Sequence, residues 1–196
     1  TTGANNVAIG VFALDANTTG DSNVAVGNLS LSANTTADGN SAFGHEALNR
    51  NTTGTLNVAV GKEALNVNTT GSNNTAVGAG ALDANTSAVR NTAIGTGALT
   101  AVTTGNDNTA LGEAAGSNIE NGINNICIGG DAVTAASTHS STIVIGKGMT
   151  GKGANTGFIS PNNGGVFQGD NSSDWSTTSD RRIKKNIKDN NTGLGF

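Results

Sequence analysis

Residues 146–153, Gly-Lys-Gly-Met-Thr-Gly-Lys-Gly, imitate a phosphate-binding loop. They fit Gly-x-Gly-x-x-Gly and nearly fit the P-loop, where backbone N–H groups and a lysine cradle nucleotide phosphates. Gly153 stands where that loop requires a serine or threonine, and no crossover helix is predicted after it. Nucleotide binding is therefore not expected. Other reactive side chains are sparse. His45 and His139 fall at unrelated points of the pattern described below, so no paired metal ligands are expected. Asp15, Asp83 and Asp131 lack the dense spacing of a cation-binding loop. Cys127 has no second cysteine to pair with and no basic neighbour in sequence to activate it. It occupies a place otherwise filled by alanine and reads as a small apolar filler. No cofactor and no metal is called for, and no paired carboxylates suggest a glycan-cleaving site.

Charge is unevenly placed. Residues 1–180 carry five basic and thirteen acidic groups, and residues 181–196 carry five basic and one. The acidic part argues against sequence-independent nucleic-acid binding, which needs many cations on phosphates. The basic part, Arg181, Arg182, Lys184, Lys185 and Lys188, is a set able to contact phosphate. Aromatics make up only 3% of the chain, so the large rings that fill ordinary globular cores are missing. There is no run of 18 apolar residues, so no membrane-spanning helix is predicted.

What positions these side chains is a repeat. Nine glycines recur every 17 residues: Gly10, Gly27, Gly44, Gly61, Gly78, Gly95, Gly112, Gly129 and Gly146. A fixed period of this size marks stacked units that bury their apolar faces on one another. The residue before each glycine is large and apolar; two before it stands alanine in seven copies; four before it stands asparagine in eight. Three before it is mostly β-branched. This period-two pattern predicts a short strand. Its Val/Ile face is expected to pack on the rest of its own coil, and its Asn/Ala/Gly face on a neighbouring chain.

Four residues after the glycine comes Leu14, Leu31, Leu48, Leu65, Leu82 or Leu99. This segment is expected to form a second strand facing the first across a thin core. Asn17-Thr-Thr-Gly20 and its equivalents form the return bend. The Asn-x-Thr/Ser strings at Asn17, Asn34, Asn51, Asn68 and Asn85 match glycosylation acceptors, but they recur because the bend recurs. The series Asn6 to Asn125 is expected to form a side-chain amide ladder. At about 4.8 Å per coil, nine coils span on the order of 40 Å. So thin a slab barely offsets its ordering entropy. Three chains wrapped together would remedy this, with the Ala/Gly face on the axis. The expected fold is all-β: a parallel β-roll or β-solenoid rod, homotrimeric, over residues 1–152. An irregular neck follows at 153–178, with a hairpin-like turn at Asn163-Gly164 and aromatics closing the rod's end.

Asn57-Val-Ala-Val-Gly61 and Asn74-Thr-Ala-Val-Gly78 resemble the head repeats of YadA-like trimeric autotransporter adhesins, and more closely the arrays of bacteriophage tail fibres. The adhesin heads imply a trimeric left-handed parallel β-roll. Ser179-Asp-Arg-Arg-Ile-Lys184 resembles the opening of the self-cleaving intramolecular chaperone of phage tailspikes and endosialidases. That resemblance implies Ser179 as nucleophile, Lys184 as its base and Thr178–Ser179 as the scissile bond. A hydroxyl needs such a base, and a desolvated lysine can serve. The bland alternative is a solvated helix start with Ser179 as N-cap. Residues 179–196 are expected to hold only the chaperone's start, with single-turnover cleavage confined to a full-length precursor.

The expected function is structural and host-attaching: a segment of a trimeric phage tail fibre or tailspike in the virion. Its partners would be its own copies, a host-cell surface glycan or protein, and other fibre or baseplate proteins, with no nucleic acid and no membrane insertion. A trimeric adhesin on a bacterial cell surface is the near alternative. From a different class comes a monomeric ice-binding solenoid, suggested by the Thr18/Thr35/Thr52/Thr69 and Thr19/Thr36/Thr53/Thr70 ladders. Adjacent threonines in a strand would face opposite sides, which counts against it.

Overall fold

The computed structural model of the chain describes residues 2–160, 166–168 and 175–177. Twelve three-residue strands lie in one sheet in chain order, and the described residues contain no helix. β1 (Val7–Ile9), β2 (Val24–Val26), β3 (Ser41–Phe43), β4 (Val58–Val60), β5 (Thr75–Val77), β6 (Thr92–Ile94), β7 (Thr109–Leu111), β8 (Ile126–Ile128) and β9 (Ile143–Ile145) pair in parallel. Each residue faces its equivalent 17 positions on, as Ala42 faces Ala59. The 17-residue period is thus one turn of a parallel β-solenoid. β10 (Gly157–Ile159) continues in parallel on β9, and β11 (Val166–Gln168) and β12 (Trp175–Thr177) add antiparallel. Phe158 is buried on the core opposite Val144. The expected Asn163-Gly164 turn lies outside the described residues.

The second strand of each coil is absent. The Ala-Leu segment stacks by backbone bonds, such as Leu48 N–H to the Ala64 carbonyl at 3.0 Å, but it is a turn. Ala47 and Leu48 are neighbours in sequence, and both are fully buried. A strand would turn one of them outward. Left-handed backbone at Glu46 (φ 58°) and Leu48 (φ 51°) folds the chain sharply enough to aim both inward. The same positions are left-handed at Glu63 and Leu65, and at Gly97 and Leu99. A leucine in this region is strained, and complete burial of its side chain offsets that cost. The third left-handed residue of each coil, at Ser22, Gly39, Asn73 or Asp107, turns the chain back toward the strand.

The expected orientation of the strand faces is reversed. Ala25, Ala42, Ala59, Ala76, Ala93 and Ala110, the central strand residues, are fully buried inside the coil against the leucines. The Val/Ile columns on either side of them point out. A 17-residue turn encloses room for alanine opposite leucine but not for two large side chains. The Ala/Gly face therefore cannot serve as a trimer axis.

Asparagines occupy the rest of the interior. Asn57 donates its backbone N–H to Asn40 Oδ1 at 3.0 Å and its Nδ2 across the coil to the Gly71 carbonyl at 2.8 Å. Its own Oδ1 accepts the Asn74 backbone N–H at 2.9 Å. This unit repeats from Asn6 to Asn125, and the Thr142 N–H ends it. A second ladder runs through Asn17, Asn34, Asn51, Asn68 and Asn85, each Nδ2 reaching the preceding Oδ1. It stops at Val102, which offers no donor, so the buried Asn85 Oδ1 has no hydrogen-bond partner. A prediction follows from that end effect. Asn51→Val strips the donor from Asn34 Oδ1 and creates a new buried orphan. Asn85→Val transfers the existing orphan to Asn68 and adds none. Chemical denaturation should find Asn51→Val less stable than Asn85→Val by about 1–2 kcal/mol, the cost of one unmade buried bond. Equal stabilities would show that the ladder bonds carry little.

Candidate functional site

The outward columns of β1–β9 form one continuous apolar face. Its eighteen positions hold Val, Ile, Leu, Phe, Thr and Ser, with no charged residue. Ile9 is 60% exposed, Leu111 47%, Phe43 42% and Val60 37%. At several tens of Å² each, these side chains present on the order of 900 Å², close to the roughly 800 Å² per partner of a stable interface. Monomers rarely expose contiguous apolar patches beyond a few hundred Å². Parallel in-register pairing fixes this geometry: every coil repeats the same two outward positions, so a two-residue pattern becomes a stripe along the rod.

A different edge carries the threonines. Thr19, Thr36, Thr53 and Thr70 are exposed, and their neighbours Thr18, Thr35, Thr52 and Thr69 are exposed or half-buried. The pair lies in a bend, not a strand, so both members face out, contrary to expectation. Thr18, Thr35, Thr52 and Thr69 each donate a hydroxyl to the carbonyl of the next rung, at 2.9–3.3 Å. Only the second ladder leaves its hydroxyls without such a bond among the described contacts. The asparagines of the sequon-like strings are buried, each Nδ2 donating to the backbone carbonyl three residues on, which blocks glycosylation of the folded rod.

One ionic cluster was not anticipated from sequence. Ligand-capable atoms of His45, Glu46 and Glu63 lie within 4.8 Å of one another. Glu46 and Glu63 share the position two after the glycine, so stacking sets one above the other; only alignment on the period reveals the pair. Both carboxylates already have partners. Glu63 meets Lys62 at 3.2 Å, and Glu46 accepts from Asn66 Nδ2 at 3.2 Å and lies 3.8 Å from His45 Nε2. His139 lies in a distant coil, and the structure does not bring it to His45. Asp83 Oδ1 accepts the Thr100 hydroxyl at 2.8 Å, while Asp15 and Asp131 are exposed in other coils. Arg90 and Asp107, one coil apart, form a two-pronged bridge at 2.6 and 2.8 Å. The Arg90 hydrogen bond holds the Asp107 carboxyl below its ordinary range. That bridge is exposed and contributes little to stability.

Residues 146–153 form the turn leaving β9, and Lys152 Nζ sits 4.6 Å from the centre of the Phe158 ring. Cys127 is buried in the alanine column, where burial pushes its thiol up to about 11. With so little thiolate, it should alkylate at pH 8 at least about a hundredfold more slowly in the native protein than in denaturant. Iodoacetamide labelling followed by mass spectrometry measures the ratio. Comparable rates would show that the coil opens readily at that level.

Ser179, Lys184 and the Thr178–Ser179 bond lie outside the described residues. Compared with protein-family models, curated proteins and solved structures, the chain matches none. The likeness to adhesin heads and phage fibres therefore rests on the repeat strings and on the Ser179–Lys184 motif.

Proposed function

We propose that this chain is a structural and host-attachment segment of a trimeric phage tail fibre or tailspike. The supporting observation is the uncharged apolar face running along nine in-register strands. Left in water, that face is a standing liability for a soluble rod; turned to a common axis with two further copies, it completes the core that a 17-residue coil lacks. In this proposal the Val/Ile columns, not the alanines, line the axis. The threonine ladders face outward, toward the host surface. Cleavage by Ser179 with Lys184 belongs to a full-length precursor. A trimeric adhesin on a bacterial cell has the same architecture; tail and baseplate genes beside the coding sequence would favour the virion.

Light scattering on the whole chain tests the assembly. A mass of three chains is the expected result. A single-chain mass at all concentrations would overturn it and turn attention to the second proposal, an ice-binding solenoid. The doubled outward threonine ladder favours that alternative, and an ice-growth assay on the monomer decides it.

A further inference from the structure

Along the outward face, the two side chains of a strand compensate for one another in β3, β6 and β7, relative to the Val/Val pairs of β2 and β4. When the first shrinks, the second grows: Val58 with Val60, Thr92 with Ile94, Ser41 with Phe43. Taking about 90, 115, 140, 165 and 190 Å³ for Ser, Thr, Val, Ile or Leu, and Phe, each of these pairs sums to about 280 Å³. The six inner pairs from β2 to β7 agree within about a tenth, with Thr75/Val77 of β5 the smallest, while the pairs of β1, β8 and β9 toward the ends are larger, at about 305–330 Å³. Water places no constraint on a summed side-chain volume. A close-packed neighbour does, because voids and overpacking both cost stability there. Among the described residues nothing covers this face: Phe43, Val58, Val60 and Ile94 are all exposed.

The exchange is largest at β3. Phe43 alone supplies an aromatic ring to the six strands, and Ser41 beside it leaves the room that ring needs. Copies held level would bring the Phe43 rings together, over the space left by their Ser41 residues, within the 4.5–7 Å range in which aromatic pairs attract. A shift by one coil would set each Phe43 against valines at positions 26 or 60. An antiparallel arrangement would set β3 against a different strand altogether.

We infer that Ser41 and Phe43 form a volume-compensated register lock, holding identical copies of this chain parallel and level along their outward faces. The inference rests on the trimeric proposal above and adds what fixes the alignment of the copies. Neither residue contributes to the coil's own core, so substitutions there act on association.

A double-mutant cycle on the full chain tests it, with mass followed by sedimentation equilibrium and strand content by circular dichroism. Ser41→Val overfills the face and Phe43→Val leaves a void. Each should raise the concentration for half-dissociation about tenfold or more. The double variant restores the Val/Val pair found in β2 and β4 and should return to within about threefold of wild type. A second cycle with Ser41→Thr and Phe43→Ile, which reproduces the pair in β6, is read if the first set loses strand signal. Single variants that assemble as wild type does, or a double variant as weak as both singles combined, would overturn the lock while leaving the trimer standing. A wild-type chain that stays monomeric would overturn both.

Discussion

Gly78→Ala is expected to destroy the stack locally and cost on the order of 4 kcal/mol or more. Two effects combine. The residue sits at φ +137°, a conformation that side chains with a β-carbon rarely adopt. A β-carbon there would also lie 2.5 Å from the carbonyl carbon and oxygen of Gly95 and 2.8 Å from the Thr96 nitrogen. These are backbone atoms of the adjacent coil, fixed by the ladder, and they cannot withdraw without parting the coils. Gly80→Ala is the control. That residue is left-handed at φ +63°, but a β-carbon would meet nothing within 4 Å. Ala114 occupies the equivalent place in a later coil, at φ 51°. Gly80→Ala should therefore cost about 1 kcal/mol. Urea unfolding of both variants, followed by circular dichroism, measures the difference. Similar losses would mean that backbone conformation alone, not coil-to-coil contact, requires the 17-residue glycine.

That contact explains why the glycine period was so plain in the sequence. Each copy presses on the next at the same backbone point, and no other residue type fits there. The strand preceding it was equally legible, because its β-branched and apolar positions alternate. Two features were misread for related reasons. Ranking side chains by hydrophobicity placed valine and isoleucine inside, yet the coil's cross-section admits only alanine opposite leucine. The better signal was uniformity among copies. Alanine and asparagine recur nearly unchanged two and four places before the glycine, whereas the position three before it runs from valine to serine, threonine and isoleucine. Around the strand, the uniform columns are enclosed and the variable ones are not. The Ala-Leu turn was read as a strand despite two adjacent buried-type residues, which a strand cannot bury together. Glycines at positions 80, 97 and 148, each two after the repeat glycine, already hinted at left-handed backbone. The His45, Glu46 and Glu63 cluster was hidden because its members meet only across coils.

Asn57→Asp replaces one nitrogen by oxygen and leaves shape unchanged, so it isolates the polarity of the interior ladder. In the native chain, Asn57 Nδ2 donates to both the Gly71 carbonyl and Asn40 Oδ1, at 2.8 and 3.2 Å. An aspartate would set a carboxylate oxygen against those two acceptors, inside a fully buried column with no cation beside it. An unpaired buried charge of this kind costs about 3–5 kcal/mol. Part of that cost is escaped by protonation, since a carboxylic acid regains one donor. Burial and the facing oxygens therefore raise the group's folded-state pKa above its unfolded value near 3.9. With the folded state binding the extra proton, stability falls as pH rises through the interval between the two values. The variant should be strongly destabilised at pH 7 and recover progressively as pH is lowered toward about 4. Wild type has no such group in its ladders and should show no matching rise. Thermal unfolding of both proteins between pH 4 and 8 gives the comparison. A variant that is equally unstable across that range would mean that the ladder tolerates the charge but not the lost donor. A variant as stable as wild type at pH 7 would mean that water reaches the amides. The second result would separate the asparagine ladders from what holds the coils in register and leave that task to the alanine and leucine columns, whereas the first would leave it with the amide hydrogen bonds themselves.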